Sequence, residues 1–221
     1  MLTKQVIDAL TQAAGAATPG ESLRALASAR MLLGSQADAC EPLFAELARR
    51  TDELNLLRDL AGRDPLTCAA NRRTFEEELS REVARHRRTR EAFAVIMLDL
   101  DSLKARNDRH GHLAGDAALI ALVQACMRTV RETDVVARIG GDEFAVLLPG
   151  SNHAGATTLA ARLREAIEQC QVDGGALRVS VGLAAAEHGR SSADSVVKSA
   201  DQDLYRDKNG RKESEPNECA A

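Results

Sequence analysis

The chain has 221 residues, 44% of them hydrophobic and 28% charged, which suits one full globular domain plus a smaller piece and excludes disorder throughout. Aromatic residues make up 2%, with one tyrosine and no tryptophan, so the core is expected to be Leu, Val, Ile and Ala, and a base-stacking surface for nucleic acid is argued against. A net charge of -4 likewise speaks against a protein that coats a polyanion. Cys40, Cys68, Cys126, Cys170 and Cys219 form no C-x-x-C pair and read as reduced thiols of a cytoplasmic protein. No stretch approaches the ~18 apolar residues of a membrane span.

In chain order, residues 1–61 read as helices. Lys4–Ala14 comes first, Ala17-Thr18-Pro19-Gly20 breaks it, Glu21–Leu33 follows, and a longer run starts near Asp38 after Gly34. Within that run Leu43, Leu47, Arg50, Leu54, Leu57 and Ala61 recur at alternating spacings of four and three, the period of a coiled-coil seam over 41–61. A helix packed on its own domain competes with this dimerising stalk. Arg50 would weaken or specify such a pairing.

From Asp64 the pattern alternates. Helices are expected near Arg72–Thr89, Gly115–Arg131, Ala154–Gln171 and Ser192–Lys208, with strands at Ala92–Leu100, Val135–Ile139, Phe144–Leu148 and Ala176–Ala186. Two of these strands meet across Gly140-Gly141-Asp142-Glu143, a tight hairpin. The order implies an α+β sandwich of ferredoxin-like type, with helices on one face of a mostly antiparallel sheet. Residues 62–213 form this domain, 1–61 a helical regulatory or dimerisation segment, and 214–221 a disordered tail.

The first strand ends in Leu98-Asp99-Leu100-Asp101, where apolar residues give way to carboxylates, and Asp142 and Glu143 sit at the hairpin tip. Carboxylates where buried strands emerge are suited to Mg²⁺, which keeps positions open for substrate phosphates. An acidic loop start is the plain alternative for Asp99 alone.

Gly140-Gly141-Asp142-Glu143-Phe144 is the signature of the GGDEF family, and the chain resembles that family over about residues 62–213. Further motifs accompany it in order: Asp64-Pro65-Leu66-Thr67 with Asn71-Arg72-Arg73, the run from Asp99 to Asp116, Ser180-Val181-Gly182, and the run from Ala200 to Arg211. The resemblance implies a diguanylate cyclase that condenses two GTP into cyclic di-GMP and two pyrophosphates across a homodimer. By the same resemblance Asp99, Asp142 and the Leu100 carbonyl would hold Mg²⁺ or Mn²⁺. Asn107 and Asp116 would read guanine, and Lys104, Lys208 and Arg211 would hold phosphates. Glu143 would act in catalysis, through the metal or the 3′-hydroxyl proton.

Arg131-Glu132-Thr133-Asp134 is similar to the family's R-x-x-D inhibitory motif, and Arg162 to its secondary arginine, so these imply a site for cyclic di-GMP. A guanidinium and a carboxylate suit the two edges of guanine. A regulatory protein acting on residues 1–61 is a further implied partner. The competing reading is a non-catalytic receptor or adaptor for cyclic di-GMP or GTP. Leu103, Cys68-Ala69 and Asp207 depart from the family pattern; the first two repack apolar or turn positions, while Asp207 places a negative charge beside Lys208. His110 and His112 read as structural rather than metal-binding, and Arg85-His86-Arg87-Arg88-Thr89-Arg90 as a solvated helix end.

Overall fold

The computed structural model describes residues 2–14, 19–33, 41–173, 175–186 and 192–214, in two units that divide after Gly62. The N-terminal unit contains α1 (Leu2–Ala14), α2 (Pro19–Leu33) and α3 (Glu41–Ala61). Ala9, Ala25, Ala29 and Phe44 form its small core, with Leu32, Leu33, Leu47 and Ala48 packed around them. One seam residue, Leu47, therefore serves the unit's own packing. Arg50 is exposed and donates to Glu46 at 2.7 Å. The side chains of Leu43, Leu54 and Leu57 lie outside the described residues.

The second unit runs β1 (Ala70–Asn71), α4 (Arg72–Thr89), β2 (Phe93–Leu100), α5 (Leu103–His110), α6 (His112–Thr129), β3 (Val135–Arg138), β4 (Glu143–Pro149), α7 (His153–Glu168), β5 (Gln171–Val172), β6 (Gly175–Ala176), β7 (Val179–Ala186) and α8 (Ala193–Ser214). Five strands form one sheet in the order β1-β3-β4-β2-β7, antiparallel except for the β1–β3 pair. The mostly antiparallel sheet is as the strand order implied.

Helices cover both faces of the sheet, not one. Every residue of β2 is buried. Ala94, Ile96, Leu98 and Leu100 pack with Leu119 and Leu122 of α6 and Leu163 and Ile167 of α7. Phe93, Val95 and Met97 pack on the other side with Phe75 and Leu79 of α4 and Val196 and Leu204 of α8. The continuous apolar run of β2, without polar alternation, is what a strand buried on both faces requires.

Four short elements carry no periodic signal: β1, α5, and the β5 and β6 strands of a small hairpin. Asn71 shows why β1 ends where α4 begins, because its side-chain oxygen caps the helix by accepting the Thr74 N–H at 3.0 Å. The end of α4 is not wholly solvated as expected. His86 is fully buried, edge-on to Phe93 with ring centroids 5.5 Å apart, and its Nδ1 lies 2.6 Å from the Glu91 carbonyl. Helix α8 extends six residues beyond Lys208, so Arg211 rides on the helix. Of the expected tail, Ser214 belongs to α8 and the rest lies outside the described residues. Among the described residues no helix is long and apolar enough to cross a membrane.

Candidate active site

The site forms where the end of β2 meets the β3–β4 hairpin. In register, Asp99 stands opposite Glu143 on β4 and opposite Ser180 on β7. The Leu100 N–H donates to the Asp142 carbonyl at 3.0 Å, tying the hairpin tip to β2. The N–H groups of Ile139 and Gly140 both donate to the Glu143 carbonyl, at 2.9 and 3.2 Å. At Gly140 a Cβ would lie 2.5 Å from the Glu143 Oε2, so the Glu143 side chain packs over this glycine and would have to turn away from a larger residue.

Arg138 braces this turn from outside. Its Nη2 donates to the Gly141 carbonyl at 2.8 Å while Nη1 reaches both carboxylate oxygens of Asp64 at 3.2 and 3.3 Å. Asp64 also accepts from the Thr67 N–H and hydroxyl at 2.8 and 2.7 Å. Burial pushes the Asp64 carboxyl upward, but the Thr67 and Arg138 hydrogen bonds outweigh it and hold the group below its ordinary range. The Asp-Pro-Leu-Thr and Gly-Gly-Asp-Glu-Phe motifs are thus one mechanical assembly.

Asp99 is only 6% exposed. Its Oδ2 accepts from the Lys208 ammonium at 2.8 Å, and its Oδ1 is buried with no hydrogen-bond partner among the described residues. An orphaned carboxylate oxygen in a buried position is costly unless a cation completes it. Asp142 is half-buried and Glu143 exposed at the hairpin tip. No group of three or more His, Cys, Asp or Glu side chains is arranged around a metal position among the described residues. Two carboxylates and a main-chain carbonyl nevertheless fit a Mg²⁺-type ion, which binds through one or two carboxylates plus waters and phosphates.

Asp101, in the turn just after β2, was not singled out as a site residue from sequence. It accepts from the Ser180 hydroxyl at 2.7 Å, and its carboxyl is pushed up, chiefly by burial. Burial acts on Lys208 in the opposite sense, yet the Asp99 hydrogen bond and the charges of Asp99, Asp142 and Asp101 prevail and raise it above the ordinary lysine range.

Helix α8 brings the other cations. Gly182 explains its close approach: a Cβ there would lie 2.5 Å from the Leu204 Cα and nearer still to the Leu204 nitrogen and Ala200 carbonyl. Asp203 and Asp207, one turn apart on α8, accept the outward N–H groups of Leu183 and Val181 at 3.0 and 2.9 Å. They cap the exposed edge of β7, which would otherwise present unpaired donors. Asp207 also pairs with Arg164 of α7 at 2.6 Å, so its charge serves this brace, while Lys208 pairs with Asp99. Arg211 contacts Glu168 at 3.2 Å, Asp207 at 3.5 Å and Asp101 at 3.9 Å. Glu168 and Arg164 carry no local motif, and sequence reading missed both.

Lys104 lies exposed on the first turn of α5, without an ion pair among the described residues. Asn107, one turn on, buries its Oδ1 without a partner against Gly115 of α6, where a Cβ would overlap that oxygen. Asp116 is the fifth residue of α6, whose N-cap is Gly111, so Asp116 does not cap the helix. Asn107 and Asp116 stand on either side of the α5–α6 junction. His110 and His112 are exposed at that junction, not packed in a core.

Arg131 and Asp134 form a closed turn before β3. The Arg131 N–H donates to Asp134 Oδ2 at 2.9 Å and the Asp134 N–H to the Arg131 carbonyl at 3.0 Å. The Arg131 side chain is exposed. Arg162 of α7 reaches the Thr129 carbonyl at 3.5 Å, which brings it to the end of α6 just before this turn. The four residues of β3, roughly 13 Å of strand, separate the turn from the hairpin tip.

A family profile described as "Diguanylate cyclase, GGDEF domain" matches residues 61–214. The chain belongs to the GGDEF family. Diguanylate cyclase DgcP of Pseudomonas aeruginosa is 40% identical over 155 residues, 68% of this chain and 23% of its own length. Probable diguanylate cyclase DgcE of Escherichia coli is 37% identical over 167 residues, 72% of this chain and 15% of its own length. The chain therefore spans less than a quarter of either relative. The coiled coil and GGDEF domain of DgcB from Caulobacter crescentus, solved in complex with c-di-GMP, matches with a TM-score of 0.70 at 30% identity, covering 80% of this chain and 95% of that one. Diguanylate cyclase SiaD of Pseudomonas aeruginosa, solved with its activator SiaC, matches with a TM-score of 0.66 at 28% identity over 95% of this chain and 85% of that one. Within this GGDEF domain Asp99, Lys208 and Arg211 meet beside the Asp142–Glu143 hairpin, while Arg131 and Asp134 share a turn that follows Thr129, the residue Arg162 reaches.

Proposed function

We propose that the chain is a cytoplasmic diguanylate cyclase that condenses two GTP into cyclic di-GMP and two pyrophosphates, with two catalytic domains meeting as a homodimer. The observation that carries this reading is the buried, unpartnered Oδ1 of Asp99, set beside Lys208 and the hairpin that bears Asp142 and Glu143. Asp99, Asp142 and the Leu100 carbonyl would hold Mg²⁺ or Mn²⁺, which when bound supplies charge neutralisation at the triphosphate.

The chain's own residues account for the rest of the chemistry. Lys104, Lys208 and Arg211 receive phosphate oxygens, Lys as a point charge and Arg as a bidentate donor. Asn107 and Asp116 select guanine, because a carboxylate accepts from the N1 and amino hydrogens that adenine lacks in that arrangement. The 3′-hydroxyl oxygen of one GTP bonds to the α-phosphorus of the other as the α–β phosphoanhydride breaks and pyrophosphate leaves. Glu143 would act at this step by accepting the hydroxyl proton or by helping to hold the metal. The same reaction in the reverse sense closes the ring. Each domain holds one GTP, so catalysis requires a two-fold encounter.

Residues 1–61 would then serve assembly: a stalk along α3 raises the effective concentration of one catalytic domain about the other, and a regulatory protein acting there alters their geometry. The likeness to SiaD, solved with an activator, supports a protein partner for this segment. The turn of Arg131 and Asp134, with Arg162, would bind cyclic di-GMP as a product inhibitor, which the c-di-GMP complex of DgcB supports.

The test strips bound product with a phosphodiesterase, supplies GTP with Mg²⁺ or Mn²⁺, and quantifies cyclic di-GMP by chromatography. Product from the native chain and none from Asp142→Ala is the expected result. Binding of cyclic di-GMP, lost in Arg131→Ala, without product at any protein concentration would point instead to a receptor.

A further inference from the structure

Among the described residues, Arg211 is the only one of the three proposed phosphate-holding cations gripped by a carboxylate from another helix, outside the end of the sheet that carries Asp99. Its Nη1 and Nη2 both donate to a single oxygen, Glu168 Oε1, at 3.3 and 3.2 Å. Charge-assisted bonds of this kind are ordinarily near 2.7–2.9 Å, so the grip is long and uses one acceptor where a phosphate offers two. Glu168 is itself unfavourably placed as the last residue of α7, in a final turn that has no basic residue. Negative charge at a helix C-terminus opposes the helix dipole, and Arg211 relieves it.

The frame around this contact is firm. Asp207 stands 3.5 Å from the Arg211 Nε, and is held in turn by the Val181 N–H at 2.9 Å and by Arg164 at 2.6 Å. The β7 edge and α8 therefore need not move for the outer nitrogens of Arg211 to change partner. Arg211 already reaches inward to Asp101 at 3.9 Å, in the turn that follows the strand carrying Asp99. Glu168 and Arg211 are partly exposed, at 40% and 30%, so solvent and ligand reach the contact.

We propose that Glu168 sets substrate affinity at the triphosphate site by holding the Arg211 guanidinium until a polyphosphate displaces it. Binding is then an exchange of one anion for another, and Glu168 competes with substrate at the cation. The inference rests on the cyclase reading in taking the incoming anion to be the triphosphate of GTP.

The test measures, by calorimetry on the full chain with Mg²⁺, binding of a GTP analogue whose α–β bridge is methylene, and of guanosine as a ligand without phosphates. Glu168→Gln is expected to tighten analogue binding roughly three- to fivefold, the scale of a partly exposed ion pair, and to leave guanosine binding unchanged. In an Arg211→Met background the same substitution is expected to have no effect. Weaker or unchanged analogue binding in Glu168→Gln, equal tightening of guanosine, a gain that survives without Arg211, or a native chain that does not bind the analogue would each overturn the proposal. A chain that shows the expected pattern yet makes no cyclic di-GMP would sink the cyclase reading alone.

Discussion

Gly182→Ala tests how tightly α8, and with it Lys208 and Arg211, is seated on the sheet. The added methyl would lie 2.5 Å from the Leu204 Cα and closer to two other backbone atoms of α8, so no side-chain rotamer can relieve the overlap. Overpacking typically costs about 1–3 kcal/mol. Moving α8 away also stretches the bonds from Val181 and Leu183 to Asp207 and Asp203, now 2.9 and 3.0 Å, each worth about 1 kcal/mol. The sum, about 3–5 kcal/mol, is a large part of the ~5–15 kcal/mol by which a domain is ordinarily stable. With a urea dependence of about 2 kcal/mol per M, the midpoint of the catalytic unit followed by circular dichroism is expected to fall by roughly 1.5–2.5 M. Gly141→Ala is the matched control, because nothing lies within 4 Å of its added methyl. An unchanged midpoint in Gly182→Ala, or equal losses in the two variants, would refute the close-approach argument.

Other outcomes follow from the same geometry. Asp64 has a carboxyl held below its ordinary range, so its contribution is complete above the unfolded value of about 3.9 and is lost as pH falls through the folded value; Asp64→Asn should flatten the acid limb of a stability–pH curve below about pH 4–5. Arg131→Ala should weaken cyclic di-GMP binding roughly tenfold or more by calorimetry while the melting curve stays put, because the turn uses the Arg131 main-chain N–H and not its side chain. Asn107→Ala is expected to lower affinity for the methylene GTP analogue roughly tenfold to a hundredfold and to narrow its preference over the matching ATP analogue; retained preference would remove Asn107 from guanine reading. Arg50→Leu should raise the dimer fraction seen by light scattering if α3 is the stalk, since Arg50 now occupies an otherwise apolar seam position.

Amino-acid pattern alone was enough for several parts of this protein. The run Ala92–Leu100 read as an apolar strand, the segment 72–89 as a helix, and the glycines of 140–141 marked a turn that would present Asp142 and Glu143. Those features are local: periodicity reports how much of a residue is buried, and turn chemistry depends on a few neighbours. Which surface does the burying is not local. The covering of both sheet faces, the burial of His86 within a basic run, and the short β1 beside β3 all depend on elements far apart in the chain. The same holds for the site. Asp99 and Lys208 were legible as separate motif residues, but their pairing spans 109 positions, and the Asp207–Arg164 and Glu168–Arg211 contacts each span 43. The sequence marked Asp99, Lys208 and Arg211; only packing α7 and α8 against the sheet decided which charges neutralise one another and which oxygen of Asp99 was left without a partner among the described residues.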